Sequence, residues 1–208
     1  MTTTTTAKFN MIEQQIRPWE VLDNRVLSVL NEINREDFVR DPYKGLAYAD
    51  CQIPVADGVR MLPPTVEGRL LQALTIRPED RVLEVGSGCG YLAACLAKLG
   101  SRVTSIDPRA EVIEFAAANL DACGIDNVNF EQCSLRQVEA QPAYDAIAVT
   151  GSLAEIPDNL RQALEPGGRM FVIVGQSPVM EALLVTRVGE SEWTTLSLFE
   201  TDLPRLSV

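Results

Sequence analysis

Apolar residues recur along the chain in two rhythms, one with the period of a helix and one with that of buried strands. Val26, Leu27, Leu30 and Ile33 fall at helical spacing behind Asp23, which is placed as the N-cap. Phe9 to Gln15 predicts a shorter helix that stops before Arg17-Pro18. Residues 37–64 break both rhythms with Pro42, Gly45, Pro54, Gly58, Pro63 and Pro64, and are expected to form an ordered irregular segment. A segment of that length inside a compact fold points to function or to disorder. Val66 to Leu74 returns to helical spacing through Leu70, Leu71 and Leu74.

From Arg81 onward strands and helices alternate. Short apolar runs at Arg81–Val85, Val103–Ile106, Val128–Glu131, Tyr144–Val149 and Met170–Val174 predict strands. Between them lie helical patterns at Tyr91–Leu99, ended by Gly100, at Ala110–Cys123, ended by Gly124, and at Asp158–Leu164. Ile113, Ala116, Ala117 and Leu120 are expected to form the inner face of the second of these helices. Pro166-Gly167-Gly168 reads as a turn, and two runs at Ala182–Val188 and Trp193–Glu200 read as a hairpin around Gly189-Glu190-Ser191. The alternation implies an α/β fold with a doubly wound, mostly parallel sheet, a C-terminal antiparallel hairpin and an N-terminal helical extension. Residues 1–8 are expected to be a frayed tail, residues 9–75 the extension and residues 76–208 the core, packed with the extension as one unit.

Composition narrows the class. A chain of 208 residues suggests one domain at roughly 100–200 residues each. With 46% hydrophobic and 23% charged residues, a disordered chain, a collagen and a disulfide mini-protein are excluded. No apolar run reaches roughly 18 residues, so no transmembrane helix is expected. The threonine tract Thr2–Thr6 has neither a basic region nor an apolar one, which argues against a secretory signal and for the cytoplasm. A net charge of −11 disfavours nucleic acid and anionic membranes as partners.

Five cysteines (Cys51, Cys89, Cys95, Cys123 and Cys133) without a C-x-x-C pair suggest free thiols and no metal site. Cys95, Trp19 and Trp193 are expected to pack rather than react. The chain has no histidine. Ser-His-Asp and Cys-His catalysis are therefore excluded, and so is a histidine base.

The central chemical feature is Glu84-Val85-Gly86-Ser87-Gly88-Cys89-Gly90, between the first core strand and the next helix. Such a turn lets a ligand approach the backbone at a helix start. Asp107 ends the next strand, 21 residues after Gly86, where a carboxylate can accept hydrogen bonds from the two hydroxyls of a ribose. A nicotinamide-type turn would read G-x-G-x-x-G, whereas here Tyr91 follows Gly90. A P-loop is excluded because no Gly-Lys-Ser/Thr follows.

The G-x-G-x-G turn with an acid two residues before it resembles motif I of class I S-adenosylmethionine-dependent methyltransferases. The likeness extends to Leu46-Ala-Tyr-Ala-Asp50, Ile53-Pro54, Gly58 and Pro64 upstream, and to Asn127-Val128, Tyr144-Asp-Ala-Ile147, Val149-Thr150, Ile156-Pro157, Gly167-Gly168 and Val174-Gly175 downstream. In order and spacing these resemble the protein-L-isoaspartate (D-aspartate) O-methyltransferases over about residues 45–175, and Met11–Trp19 looks like a bacterial branch of them.

The resemblance implies a Rossmann-like methyltransferase core over 76–208 and a substrate-side segment within 9–75. It implies S-adenosyl-L-methionine as cofactor, S-adenosyl-L-homocysteine as product, and an isoaspartyl residue in a damaged protein or peptide as partner, with repair as the outcome. Glu84, Gly86, Ser87, Gly88 and Gly90 would lie at the methionine end of the cofactor, with Asp107 and Pro108 at the ribose. Ser134 and Leu135 would lie at the adenine, where the family carries Gly-Asp-Gly. The family's substrate segment Gly-Gln-Thr-Ile-Ser is here Gly58-Val59-Arg60-Met61-Leu62, so Leu62 stands at the active-site serine and Arg60 at the threonine.

Methyl transfer to a carboxylate needs no base, because the acceptor is already ionised at pH 7. Arg60 is expected to orient that carboxylate, and Thr150, after the fourth core strand, to contact cofactor or substrate. Leu62 and Ser134 keep two further readings open: a methyltransferase of this fold with another acceptor, and a cofactor-binding protein without isoaspartyl activity.

Overall fold

The computed structural model describes residues 3–206, so Met1 and Thr2 of the expected tail lie outside the described residues. Helix α1 (Thr3–Asn10) begins inside the stretch expected to fray and runs on as a π-helical stretch, Met11–Ile16. Burial explains the difference: Met11, Ile12 and Ile16 are packed inside, and Lys8 Nζ donates to Asn34 Oδ1 at 3.0 Å. Helix α2 (Asn24–Glu32) starts where the sequence places it, with the Asp23 side chain accepting from the Arg25 N–H at 2.8 Å. Its apolar stripe faces the interior through Val26, Leu27, Val29 and Leu30.

Residues 37–64 are more regular than expected. Two 3₁₀ turns, Arg35–Phe38 and Asp41–Leu46, lead into a small antiparallel hairpin of β1 (Ile53–Ala56) and β2 (Val59–Met61). Asp57 and Gly58 form its two-residue turn. Asp-Gly is a hairpin signal, but Pro54 lies within the first strand and masks it. Helix α3 (Pro64–Leu74) follows.

The main sheet contains β3 (Arg81–Val85), β4 (Arg102–Asp107), β5 (Val128–Gln132), β6 (Tyr144–Leu153), β7 (Leu164–Gln176), β8 (Val179–Arg187) and β9 (Trp193–Thr201). Their order across the sheet is β5-β4-β3-β6-β7-β8-β9. The first five are parallel, and β8 and β9 add an antiparallel edge, as the terminal hairpin signal implies. Helices α4 (Tyr91–Leu99), α5 (Ala110–Ala122) and α6 (Asp158–Ala163) supply the crossovers.

Both faces of the inner strands are covered, which is why those strands read as continuous apolar runs. Ala146, Ala148, Phe171 and Ile173 pack on the face shared with α2, α3 and α4, while Ile147, Val149, Met170 and Val172 pack on the other. On α5 the fully buried residues are Val112, Ala116 and Leu120, whereas Ile113 and Ala117 are half-buried. The inner stripe is therefore turned from the expected one, because it is set by contact with α4 and the sheet edge. No helix among the described residues is long and apolar enough to cross a membrane.

Candidate active site

A cleft of about 650 Å³ opens at the carboxyl ends of β3, β4 and β6. The chain leaves β3 toward β4 on one side and returns to β6 on the other, so the cleft lies where the strand order reverses, the usual ligand position in open α/β sheets.

The turn after β3 forms the floor, and Glu84, Gly86, Ser87, Gly88 and Gly90 all line it. Gly90 opens α4 at φ +84°, and a side chain there would strike Leu120 and, at 3.0 Å, the carbonyl of Ala116. This glycine thus serves α4–α5 packing. Gly88, at φ +52° and in the lining of the cleft, has no atom within 4 Å of where a side chain would begin. This glycine leaves room for a ligand against the backbone.

Glu84 is 1% exposed, and the Ser105 hydroxyl donates to it. Ser105 is in turn 2.8 Å from the Ser87 hydroxyl. Burial pushes the Glu84 carboxyl up to about 8, the Ser105 bond opposes that, and the negative charge of Glu67 and Asp107 adds to it.

Asp107 stands at the end of β4, 2% exposed and inside the cleft. Arg109, a residue the sequence reading did not single out, grips it from two positions along the chain, with Nε 3.0 Å from Oδ1 and Nη2 3.3 Å from Oδ2.

Thr150 and Gly151 line the opposite wall from a break in the β6–β7 register between Ala148 and Ser152. Such a bulge turns side chains out of the ladder. The Thr150 hydroxyl is 3.0 Å from the Val85 carbonyl and 2.7 Å from that of Gly86, which ties β6 to the glycine turn. A C-terminal segment completes this wall. Leu206 N donates to Ser152 O at 3.0 Å, and a side chain at Gly86 would run into Thr150 and Leu206.

The β1–β2 hairpin roofs the cleft and brings Arg60 and Leu62 to it. Arg60 is exposed and has no ion pair among the described residues; Leu62 is 5% exposed. Beneath Leu62 lies a buried pair that the sequence reading did not single out. Arg35 donates to Glu67 and to the Leu62 carbonyl, and its guanidinium is 5.0 Å from the Tyr91 ring centroid. Glu67 reaches the cleft as well. Burial pushes its carboxyl up and the Arg35 guanidinium opposes the shift.

The structure therefore gathers Arg60, Leu62, Glu84, Gly86, Ser87, Gly88, Gly90, Asp107 and Thr150 around one space. It does not bring Pro108, Ser134 or Leu135 to the lining. Ser134 caps the 3₁₀ turn Leu135–Gln137, and Leu135 is buried at 3% exposure on the far face of the sheet. The backbone link from Cys133 N to Asp107 O, 3.2 Å, keeps this segment beside the end of β4. Asp107-x-Arg109 spacing was a usable signal for Arg109; nothing local to Leu206 or Glu67 marks their place. Cys95 and Cys89 are buried, and Trp193 packs with its indole N–H on the Arg161 carbonyl at 3.1 Å.

A family model described as Protein-L-isoaspartate(D-aspartate) O-methyltransferase (PCMT) matches residues 6–197. Among curated relatives, a Protein-L-isoaspartate O-methyltransferase of Rhodopseudomonas palustris is 34% identical over 185 residues, covering 88% of this chain and 85% of its own length. One of Methylorubrum extorquens is 36% identical over 188 residues, covering 90% and 82%. Among solved structures, a Plasmodium falciparum chain assigned to the same activity and crystallised with S-adenosyl-L-homocysteine superposes with a TM-score of 0.84 at 20% identity, covering 100% and 99% of the two chains. That last likeness is one of fold.

Proposed function

The chain belongs to the protein-L-isoaspartate(D-aspartate) O-methyltransferase family, and from that premise we propose how its cleft methylates the carboxylate of an isoaspartyl residue in a protein or peptide. It is an S-adenosylmethionine-dependent methyltransferase. The observation that carries the reading is the meeting, in one cleft, of the glycine turn with Glu84 and Asp107 and of Arg60 in the hairpin with Leu62 just after it. A different acceptor, or a binder without catalysis, is not favoured by the family match. We take residues 76–208 as the cofactor-binding core, residues 9–75 as the acceptor side, the cytoplasm as the setting and repair of damaged proteins as the purpose.

The residues present suit the cofactor. Gly88 lines the cleft with an uncrowded flank, Glu84 is a buried carboxyl at the floor, and Asp107 is an acceptor at a strand end. Glu84 and the backbone N–H groups of the turn would hold the methionine end, and Asp107 the ribose. Ser134, on the segment held beside the end of β4, would serve the adenine side, and Pro108 would stay with Asp107 at the ribose. When bound, the cofactor supplies a sulfonium methyl group for displacement by a carboxylate oxygen, giving a methyl ester and S-adenosyl-L-homocysteine.

This chain's contribution to that displacement is positional. Arg60 holds the acceptor carboxylate by charge-assisted hydrogen bonds. Thr150 fixes the glycine turn against β6. Leu62 offers an apolar wall where a polar one would hydrate the oxygen. No proton has to be removed from an ionised acceptor, so a chain without histidine meets the demand. Alignment of the reacting atoms is a sufficient source of rate, since effective molarities reach roughly 10⁵–10⁸ M.

Transfer of a labelled methyl group from S-adenosylmethionine to an isoaspartyl peptide tests the reading, with the same peptide carrying normal aspartate as control. Base-labile label on the isoaspartyl peptide alone is expected. Label on neither peptide overturns the acceptor assignment.

A further inference from the structure

Asp107 and the β1–β2 hairpin serve different ends of the reaction, yet one side chain holds both. The Asp107 Oδ1 accepts from the Arg109 backbone N–H at 3.0 Å and from Arg109 Nε at 3.0 Å. Its Oδ2 accepts from Nη2 at 3.3 Å. The remaining nitrogen of the same guanidinium, Nη1, donates to the carbonyl of Asp57 at 3.2 Å. Asp57 is in the turn of the hairpin that carries Arg60 and leads to Leu62.

A carboxylate offers about four lone-pair positions. Arg109 fills three of them. The two hydroxyls of a ribose need two, so both demands cannot be met in full. The backbone N–H is fixed by the start of α5, so the bond that yields is one from the side chain. The longest is Nη2 to Oδ2. Because the guanidinium is a rigid planar fork, Nη2 cannot swing away without moving Nη1, and so the bond to Asp57 is disturbed with it. The Arg109 side chain is 24% exposed, at the mouth of the cleft, and has room to turn.

We infer that Arg109 is a positioning residue that couples the cofactor's ribose at Asp107 to the acceptor-side hairpin at Asp57. The inference rests on the reading that S-adenosylmethionine binds this cleft with its ribose on Asp107. In physical terms the ribose takes an acceptor from Arg109, and the hairpin turn at Asp57 loses one tether, while the Arg40–Val55 bond and the buried Ile53, Val55, Val59 and Met61 keep its strands seated. Cofactor loading thereby loosens the roof through which the acceptor peptide must enter.

Hydrogen–deuterium exchange on the full chain tests this, with S-adenosyl-L-homocysteine as the probe and calorimetry to confirm that it binds. In the wild type, saturating probe is expected to speed exchange in a peptide spanning residues 53–62 at least threefold. In Arg109→Met that peptide is expected to exchange at the faster rate with or without probe. Arg109→Lys, which keeps a charge for Asp107 but lacks the fork that reaches Asp57, is expected to bind the probe and to show no change in the hairpin.

Binding of the probe to the wild type with unchanged exchange over 53–62 overturns the coupling, even if neither variant folds. A probe-induced change that persists in Arg109→Met overturns it too. Failure of the wild type to bind the probe at all removes the cofactor reading first, and the inference with it.

Discussion

At the scale of single residues, the chemistry divides into groups visible in the chain and groups visible only in space. Glu84 and Asp107 were legible because a strand end and a glycine turn put them at known distances along the chain. Arg60 was legible from its place in the segment 58–62. It has no ion pair among the described residues, which leaves its guanidinium for a ligand. Replacing Arg60 with Ala is expected to raise KM for an isoaspartyl peptide about tenfold, the loss of one charge-assisted hydrogen bond of about 1.5 kcal/mol, with kcat nearly unchanged. An unaltered KM in steady-state assays counts against its role. Glu84 gives a prediction of a different kind. Its carboxyl is held up to about 8 by burial, above the ordinary carboxylate range. The folded chain thus binds a proton that the unfolded chain has released. The stabilisation this group contributes is fully present below the ordinary carboxylate pKa and is lost as pH rises toward 8. Urea midpoints compared at pH 5.5 and pH 8 are expected to show that fall in the wild type and a flatter profile in Glu84→Gln. Glu67 and Arg35 were not legible, because their pairing spans 32 positions and no local pattern announces it.

At the scale of elements, the core strands and the crossover helices were legible because strands buried on both faces and helices with one apolar stripe leave opposite patterns. The β1–β2 hairpin was missed, since three- and four-residue strands give too few positions for an alternation to show. The extension of β6 through Thr150 was missed because a register break hides the continuation of a strand. The glycine turn illustrates how one short element divides its duties. Gly90→Ala forces a side chain against Leu120 and the Ala116 carbonyl as well as into a left-handed backbone. About 1–3 kcal/mol for the clash adds to about 1–2 kcal/mol for the backbone. Gly88→Ala carries only the backbone part, because the space beside it is open. Thermal unfolding is expected to place Gly90→Ala well below Gly88→Ala. Calorimetry is expected to show the Gly88→Ala variant, though folded, losing S-adenosyl-L-homocysteine binding.

At the scale of the whole molecule, the net charge of −11 surrounds a cleft whose mouth carries Arg60, Arg109 and Arg205. A peptide of net negative charge is repelled at long range and attracted only close in. Salt screens the first effect more than the second, with a Debye length of about 10 Å at 0.1 M. For an acidic isoaspartyl peptide, kcat/KM is expected to rise between 20 and 150 mM salt, and for a basic one to fall; steady-state assays across that range decide it. The class of fold was legible from the chain, whereas the closure of the cleft was not. That closure has a thermodynamic meaning. Gly86 meets Leu206, 120 positions later, so one wall of the cleft depends on a contact between segments made far apart in the sequence. Closing a loop of that length has an entropic cost that the folded contact must offset. Opening of that contact alone would leave the glycine turn without its finished wall. A ligand that grips only the completed cleft therefore draws the population toward the closed form by mass action, by about 2.7 kcal/mol when it stands at a hundred times its Kd.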